Sequence, residues 1–209
     1  MSKSLIVVEF NQLPFIDDTQ KGVEIALVRA LNYTATKSRT EAAREARKQV
    51  NFPASYVSPS SKRLWVKTKA RRGVYQTVIE GRGAPTSLAR FTKQTVLPGG
   101  KRHKGGKINV SVKPGSRKAI SRAFIIRLRG RSGTGENLGL AVRTSGTTPR
   151  NAYHPKNIGK NLWLLYGPSV DQALSGARDG KGVFEDITPE ALELLEKEFT
   201  RQLELLNGR

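Results

Sequence analysis

The sequence contains no cysteine and only two histidines. Without cysteine the chain can form neither a disulfide framework nor a thiolate metal site, which is typical of proteins in a reducing compartment. The histidines, His103 and His154, lie far apart without acidic neighbours, and no HxxxH or HExxH spacing is present. These absences argue against a metal centre. We therefore expect no bound metal and no cofactor.

Long apolar runs are also missing. No stretch approaches the roughly eighteen consecutive apolar residues that cross a membrane. The first apolar run, Leu5–Phe10, is too short for the core of a signal peptide and lacks a small-residue cleavage site. We expect a soluble protein that is made and used without export and has no membrane partner.

Catalytic and phosphate-binding motifs are absent from the sequence as well. Gly106 and Lys107 are followed by isoleucine, not by the Ser or Thr of a Walker loop, and the earlier glycine of that loop is missing. Residues 133–139 are one residue too long for the dinucleotide fingerprint, and no GxSxG elbow occurs. We therefore predict no catalytic residue and no enzymatic activity.

Acidic residues are scarce in the middle of the chain. Between Thr36 and Arg131 lie 25 Lys and Arg residues but only three acids, so this stretch carries a formal charge of +22. The rest of the chain carries −2, which gives a total of +20. Mixed signs would suffice for solubility, whereas a belt of one sign attracts a polyanion or an acidic protein surface. Few aromatic residues accompany these cations, which favours contact with a nucleic-acid backbone over base reading.

Local patterns predict an α+β fold with a long N-terminal helix, an antiparallel β core and a C-terminal amphipathic helix. The first helix is expected from about Gln20 to Val50, capped by residues 17–19. Its Ala-rich second half lies either on another subunit or on its own domain, and the pattern favours neither. The last helix is expected to start with Thr188 as N-cap and Pro189 as first residue. Its predicted apolar stripe consists of Leu192, Leu195, Phe199, Leu203 and Leu206.

Strands are predicted from short apolar runs between turn signals, and for Leu64–Lys69 and Gly73–Glu80 also from alternation of apolar residues. The first pair forms a hairpin across the basic turn Ala70–Arg72, and the second pair encloses a turn at Pro114 and Gly115. Residues 98–107 are predicted to form a mobile basic loop. We expect the segments 1–55, 56–161 and 162–209 to combine into one domain. The predicted strands are Leu5–Phe10, Leu64–Lys69, Gly73–Glu80, Ile108–Val112, Ala123–Leu128, Leu138–Arg143 and Leu162–Tyr166.

Three motifs resemble, in order and spacing, those of the bacteriophage minor tail protein Z family, the tail completion proteins. Leu31–Val57 resembles the N-terminal helix of that family and the segment after it, and Arg122–Ile125 resembles its short AFI strand. Leu164–Val170 resembles its LyGPSv turn before the closing helix. The predicted turn uses the conformational freedom of its glycine, the fixed φ of its proline and the hydroxyl of its serine as a helix cap. The residues concerned are Tyr166, Gly167, Pro168 and Ser169.

The resemblance implies a structural virion protein at the head-proximal end of a phage or prophage tail, assembled in the host cytoplasm. It implies action in tail completion and head–tail joining, without turnover. A position on the axis of the particle implies a homo-oligomeric ring, for which a hexamer is expected. The implied partners are tail terminator, tail tube or head–tail connector proteins, and the end of the genome DNA.

Two sets of cations are candidate contact residues. The first set is predicted to meet DNA or an acidic partner, and the second a neighbouring subunit. The alternative function is nonspecific nucleic-acid binding by a ribosomal or nucleoid-like protein, because such proteins have comparable charge and loops. Charge alone does not choose between the two functions. The first set is Lys101, Arg102, Lys104, Lys107, Arg71 and Arg72, and the second is Arg39, Arg44, Arg47 and Lys48.

Overall fold

The computed structural model describes residues 5–9, 20–97, 106–128, 137–144, 148–149, 154–159, 161–176 and 182–207. It shows an α+β fold with a long N-terminal helix, antiparallel sheets that include a curled half-barrel, and a long C-terminal helix that packs on the first. The predicted fold class is therefore confirmed.

A long helix lies near each end of the chain, and most of the strands lie between the two. The helices are α1 (Gln20–Gln49), α2 (Val170–Leu174) and α3 (Val183–Asn207). The strands are β1 (Leu5–Glu9), β2 (Leu64–Thr68), β3 (Gln76–Gly81), β4 (Thr86–Ser87), β5 (Lys107–Val110), β6 (Lys118–Ser121), β7 (Ala123–Arg127), β8 (Leu138–Arg143), β9 (His154–Gly159) and β10 (Leu162–Gly167). Single 3₁₀ turns occur at Ala54–Tyr56, Pro59–Ser61 and Leu88–Phe91.

The chain divides into two compact units that are interleaved along the sequence. We call the first the helical unit; it consists of Met1–Glu45, Lys62–Arg82 and Asp171–Arg209. We call the second the basic unit; it consists of Ala46–Ser61 and Gly83–Val170. The three sequence segments 1–55, 56–161 and 162–209 do not coincide with these units, because the first and last parts of the chain belong to the same unit.

The helical unit contains a three-stranded antiparallel sheet in the order β1-β3-β2. Strands β2 and β3 form the predicted hairpin, with Val66 opposite Ile79. Its turn is closed by a bridge between Arg71 and Val74, and Gly73 has a φ of 74°, a conformation that costs glycine little. The prediction of this hairpin and of its basic turn is confirmed.

Helix α1 agrees with its predicted bounds to within one residue at the C-terminal end. In the helical unit it packs Leu27 and Leu31 against Leu195 of α3, with Ala70 in the same cluster. Its later alanines, among them Ala42, are buried within the chain itself. The small-residue face, predicted to lie on another subunit or on its own domain, is therefore already covered inside this protein.

Helix α3 begins at Val183, upstream of the predicted start. The prediction that Thr188 is the N-cap is wrong, because its hydroxyl donates to the carbonyl of Phe184 at 2.6 Å inside the helix. Pro189 also lies within the helix. The true first turn carries acidic residues, which interact favourably with the helix dipole, and its amides donate to the carbonyl of Gly182.

The buried face of α3 is more polar than the predicted leucine stripe. Leu195 is buried as predicted, but Leu192 is 52% exposed, whereas Glu198 and Gln202 are buried. Glu198 accepts from Nε of Arg201 at 2.8 Å and from Nε2 of Gln202 at 2.8 Å. The bond from Arg201 is the main reason that the pKa of Glu198 lies below its ordinary value. These partners make burial of a carboxylate on this face possible.

The helical unit contains a small pocket that is partly open to solvent. It lies between α1, β3 and α3, and its lining is apolar except for the hydroxyls of Thr34, Ser38 and Thr77. Thr34 is only 5% exposed, and among the described residues its Oγ1 has no hydrogen-bond partner. A buried hydroxyl without a partner lowers stability.

We expect Thr34→Val to raise the free energy of unfolding by about 1 kcal/mol, because an unsatisfied buried polar group costs about 1–3 kcal/mol and valine has nearly the same shape. Thr36→Val is the control on the same helix, since the exposed Thr36 hydroxyl donates to the carbonyl of Asn32 at 2.9 Å. Urea unfolding of both variants measures the difference. A loss of stability in Thr34→Val would show that its hydroxyl is satisfied.

The basic unit contains two antiparallel sheets. One has the order β4-β10-β8-β7, with β9 also paired to β10, and the other consists of β5 and β6. The prediction that Ile108–Val112 pairs with Ala123–Leu128 is wrong, because β5 pairs with β6 and β7 pairs with β8. Arg122 explains the difference: its positive φ of 57° turns the chain between β6 and β7.

The predicted strand that ends next to Gly167 is confirmed. Tyr166 and Gly167 end β10 opposite the short strand β4, and α2 begins directly after the buried Ser169. Close packing favours glycine at position 167, since a Cβ would lie 3.0 Å from Cδ2 of the buried Leu88. The φ of Gly167 lies outside the left-handed region, so the expected need for conformational freedom does not apply there.

Candidate functional site

The net charge of the chain lies almost entirely in one of the two units. The basic unit contains 19 of the 37 Lys and Arg residues and a single acid, Glu136, which gives a formal charge of +18. The helical unit holds the other 18 cations and 16 acids, which gives +2. The cationic surface that the composition predicts therefore belongs to the basic unit.

In the helical unit, cations from the basic stretch between Thr36 and Arg131 form ion pairs with acidic side chains. Nζ of Lys67 lies 2.6 Å from Oε2 of Glu80, and Nε of Arg72 lies 3.5 Å from Oε2 of Glu24. The hydroxyl of Tyr75 also donates to Glu24 at 2.7 Å, and this bond is the main cause of its raised pKa. The predicted contact residue Arg72 thus has an acidic neighbour in its own unit.

The predicted contact residues do not form a single set. Arg71 and Arg72 are exposed in the hairpin turn of the helical unit. Lys107 is exposed at the start of β5 in the basic unit. The other three members of the set, Lys101, Arg102 and Lys104, lie outside the described residues, as does most of the predicted mobile loop. Lys107 itself belongs to a strand and not to that loop.

The predicted interface residues of α1 also differ from one another. Arg39 is 5% exposed, and its Nε donates to the carbonyl of Leu64 at 3.0 Å. Burial lowers the pKa of this guanidinium, which still remains charged at neutral pH. Arg39 is therefore an internal residue of the helical unit and is not available to a second subunit.

Three cations of the same set lie at the surface. Arg44 forms ion pairs with Glu41 and with Glu45, the latter at 3.6 Å. Nε of Arg47 donates to the carbonyl of Phe52 at 3.2 Å, and Lys48 is exposed. Surface pairs of this kind contribute little to stability, so these side chains can rearrange towards a partner.

The most strongly cationic structure in the described part of the basic unit is the hairpin of β5 and β6. We call residues 107–122 the cationic hairpin. It carries five exposed cations and no acid. Two lie at its base, and three lie at or beside its turn. They are Lys107, Lys113, Arg117, Lys118 and Arg122.

The cationic hairpin is fixed to the rest of its unit. Ile108 and Val110 are almost fully buried, so its apolar face belongs to the core. Backbone bonds from Ser111 to the carbonyl of Phe91 and from Asn51 to the carbonyl of Val112 are both 2.8 Å long. The amide of Asn109 donates to Oε1 of Gln94 at 2.8 Å. The exposed cations therefore lie on a hairpin whose backbone is fixed by hydrogen bonds and by its buried apolar face.

The turn of the hairpin has its own hydrogen bonds. The amide of Ser116 donates to the carbonyl of Lys113 at 3.1 Å, and the hydroxyl of Ser111 donates to the carbonyl of Ser116 at 2.8 Å. Gly115 supplies the positive φ of 72° that this turn requires. The sequence predicted the turn at Pro114 and Gly115 but missed β6, whose only large apolar residue is Ile120, opposite Ile108.

Within the described residues, no group of three or more His, Cys, Asp or Glu side chains is placed to hold a metal ion. None of the helices in the part of the chain that the structure describes is long and apolar enough to cross a membrane.

Comparisons of the chain with protein-family models, curated proteins and solved structures found no match.

The arrangement is suited to binding a polyanion. One unit carries nearly all of the net charge, and its exposed cations stand on a sheet that is held by backbone hydrogen bonds. Such a surface attracts phosphates over several ångströms, with a strength that falls as salt screens the charges.

Proposed function

We propose that the protein is a structural component of a phage or prophage tail, acting in tail completion and head–tail joining at the head-proximal end. The observation that carries the proposal is the division into one unit of charge +2 and another of charge +18. A subunit with a near-neutral unit and a strongly cationic unit can contact both protein neighbours and the phosphates of a genome end. The resemblance of three motifs to the tail completion proteins supports the same function.

In this proposal the protein acts by fitting its surfaces to neighbours, without turnover. The helical unit meets protein partners: tail terminator, tail tube or connector subunits. Its exposed apolar side chains, Tyr33, Leu192 and Leu205, are suited to such contacts. The basic unit faces the genome end. Copies of the chain form a ring, which we expect to be a hexamer, because the site lies on the axis of the particle. The protein resides in the virion after assembly in the host cytoplasm.

A second candidate function is nonspecific nucleic-acid binding, as in ribosomal or nucleoid-like proteins. The charge of +18 on one unit favours it directly. In that case the protein would act as a free monomer on cellular nucleic acid, and its affinity would fall steeply with salt.

The location of the protein tests the proposal. We expect the protein in purified particles from the host that carries its gene, at one end of the tail by labelled electron microscopy. Deletion of the gene should leave heads and tails that do not join, and the wild-type gene supplied in trans should restore joining. Recovery in ribosomes or nucleoids with absence from particles would overturn the tail function and favour the second candidate.

A further inference from the structure

We infer that the cationic hairpin is a binding element for the backbone of double-stranded DNA. The identification of that DNA as a genome end rests on the proposed function, whereas the binding itself rests on the described residues. Apart from Lys107, the cations of the hairpin lie outside the predicted contact sets.

The spacing of the cations fits a duplex. Lys107 lies opposite Ser121 at the base of the hairpin, and Lys118 lies opposite Val110 near its turn. Three steps along a strand separate these positions by about 10 Å. A duplex carries one negative charge per roughly 1.7 Å of axis, so about six phosphates fall within that length. Side chains alternate along a strand, so Lys107 and Lys118 leave opposite faces of the hairpin. The exposed cations at and beside the turn, Lys113, Arg117 and Lys118, are therefore the ones that can meet several phosphates at once.

The composition of the unit strengthens this attraction. The unit contains only one acid, Glu136, so few negative charges within the unit weaken the positive field of the hairpin. Because the hairpin is held by hydrogen bonds and a buried apolar face, little backbone order has to be gained on binding.

The aromatic side chains argue for a duplex over a single strand. Proteins that bind single strands stack bases on exposed aromatic rings. Among the described aromatic side chains of the basic unit, Phe52, Tyr56 and Phe91 are buried, Phe124, Trp163 and Tyr166 are half-buried, and none is fully exposed. Contacts to phosphates require no such rings.

An acidic protein partner fits the hairpin less well. Protein interfaces draw most of their affinity from apolar and aromatic anchors at the centre of the contact. The apolar side chains Ile108 and Val110 point into the core and are unavailable for this purpose. The turn, residues 113–118, presents exposed polar and charged groups together with Pro114.

The test compares two full-length variants that each lose three positive charges. The hairpin variant carries Lys113→Gln, Arg117→Gln and Lys118→Gln. The control carries Lys21→Gln, Lys37→Gln and Lys69→Gln, all at exposed positions of the helical unit. Binding to a random-sequence duplex of about 30 base pairs is measured by fluorescence anisotropy between about 50 and 300 mM salt, conditions chosen because phosphate contacts are salt-dependent.

We expect the hairpin variant to lose affinity on the order of 100-fold at about 0.1 M salt, and its plot of log affinity against log salt to flatten by about 2.7, or about 0.9 per contact. The control should stay close to wild type. Equal losses in both variants would overturn the inference, because binding would then follow total charge. Tighter wild-type binding to polyglutamate than to the duplex would also overturn it, in favour of an acidic protein.

Two further measurements keep the test decisive. The single variants Arg117→Gln and Lys118→Gln should each flatten the plot by about 0.9, even if the triple variant folds poorly. Unchanged DNA binding by these variants contradicts the inference whether or not the protein occurs in particles. Absence from particles contradicts the proposed function whether or not the hairpin binds DNA.

Discussion

Arg39→Ala is expected to lower the free energy of unfolding by about 3 kcal/mol. Arg39 is 5% exposed, and its Nε donates to the carbonyl of Leu64 at the start of β2, at 3.0 Å. A hydrogen bond from a charged group contributes about 1.5–3 kcal/mol, and removal of the buried aliphatic stem adds the cost of a cavity. The substitution removes a bond that joins α1 to the hairpin of the helical unit.

Arg44→Ala is the matched control for Arg39→Ala. The two residues lie on the same helix, but the side chain of Arg44 is 66% exposed and pairs with Glu41. Its loss should change stability by less than about 0.5 kcal/mol. Urea unfolding followed by circular dichroism measures both changes. Similar small losses in the two variants would show that Arg39 is dispensable for the fold and would return it to the interface set.

Gly81→Ala is expected to destabilise the helical unit by about 1–3 kcal/mol, because overpacking of a buried site forces its neighbours to shift. A Cβ at Gly81 would lie 2.6 Å from Cδ1 of Leu174 and 3.2 Å from the amide nitrogen of Asp171. Leu174 is fully buried, and the Asp171 amide donates to the carbonyl of Arg82 at 3.2 Å. Neither neighbour can move away without loss of packing or of that bond.

Gly83→Ala is the control for Gly81→Ala. Gly83 is exposed, and a Cβ there would meet no atom within 4 Å. Because alanine restricts the unfolded chain more than glycine does, this substitution should be neutral or stabilise by about 0.4–1 kcal/mol. Thermal unfolding of the two variants gives the comparison. A loss at Gly83 equal to that at Gly81 would mean that backbone freedom, and not close packing, decides both positions.

The sequence predicted elements best where local pattern and packing agree. Alternation predicted β2, and helical spacing around Leu27 predicted α1, because side chains that set each period, such as Leu64 and Leu27, become buried. The start of α3 was missed because proline is favoured at a first helical position, whereas Pro189 lies six residues after Val183, inside the helix. The helix instead begins after Gly182.

Pairing between strands was harder to predict than the strands themselves. The apolar pattern indicated strands near Ile108 and Ala123, but one residue in the left-handed region, Arg122, sends β7 to a different sheet. Arginine carries no signal for that conformation. Which strands pair depends on contacts between distant residues, and a local pattern does not contain them.

The candidate site, too, was predicted only in part from the sequence. The sequence revealed an excess of cations and the residues that carry it, but it treated Arg39 and Arg44 as equivalent. Only the structure shows that one is buried against a carbonyl and the other is exposed. It also shows the cationic hairpin, whose strand β6 contains too little apolar character to be predicted.

The sequence by itself determined the net charge of +20, the lack of cysteine and the periods from which the helices and most strands form. Only the tertiary structure decided which cations stand near acids and which belong to a unit with almost none. Coulomb energy depends on distance through space, and the fold places the acid-rich α3 in the same unit as the first part of the chain. The charge that forms one belt along the sequence is thereby divided between two units.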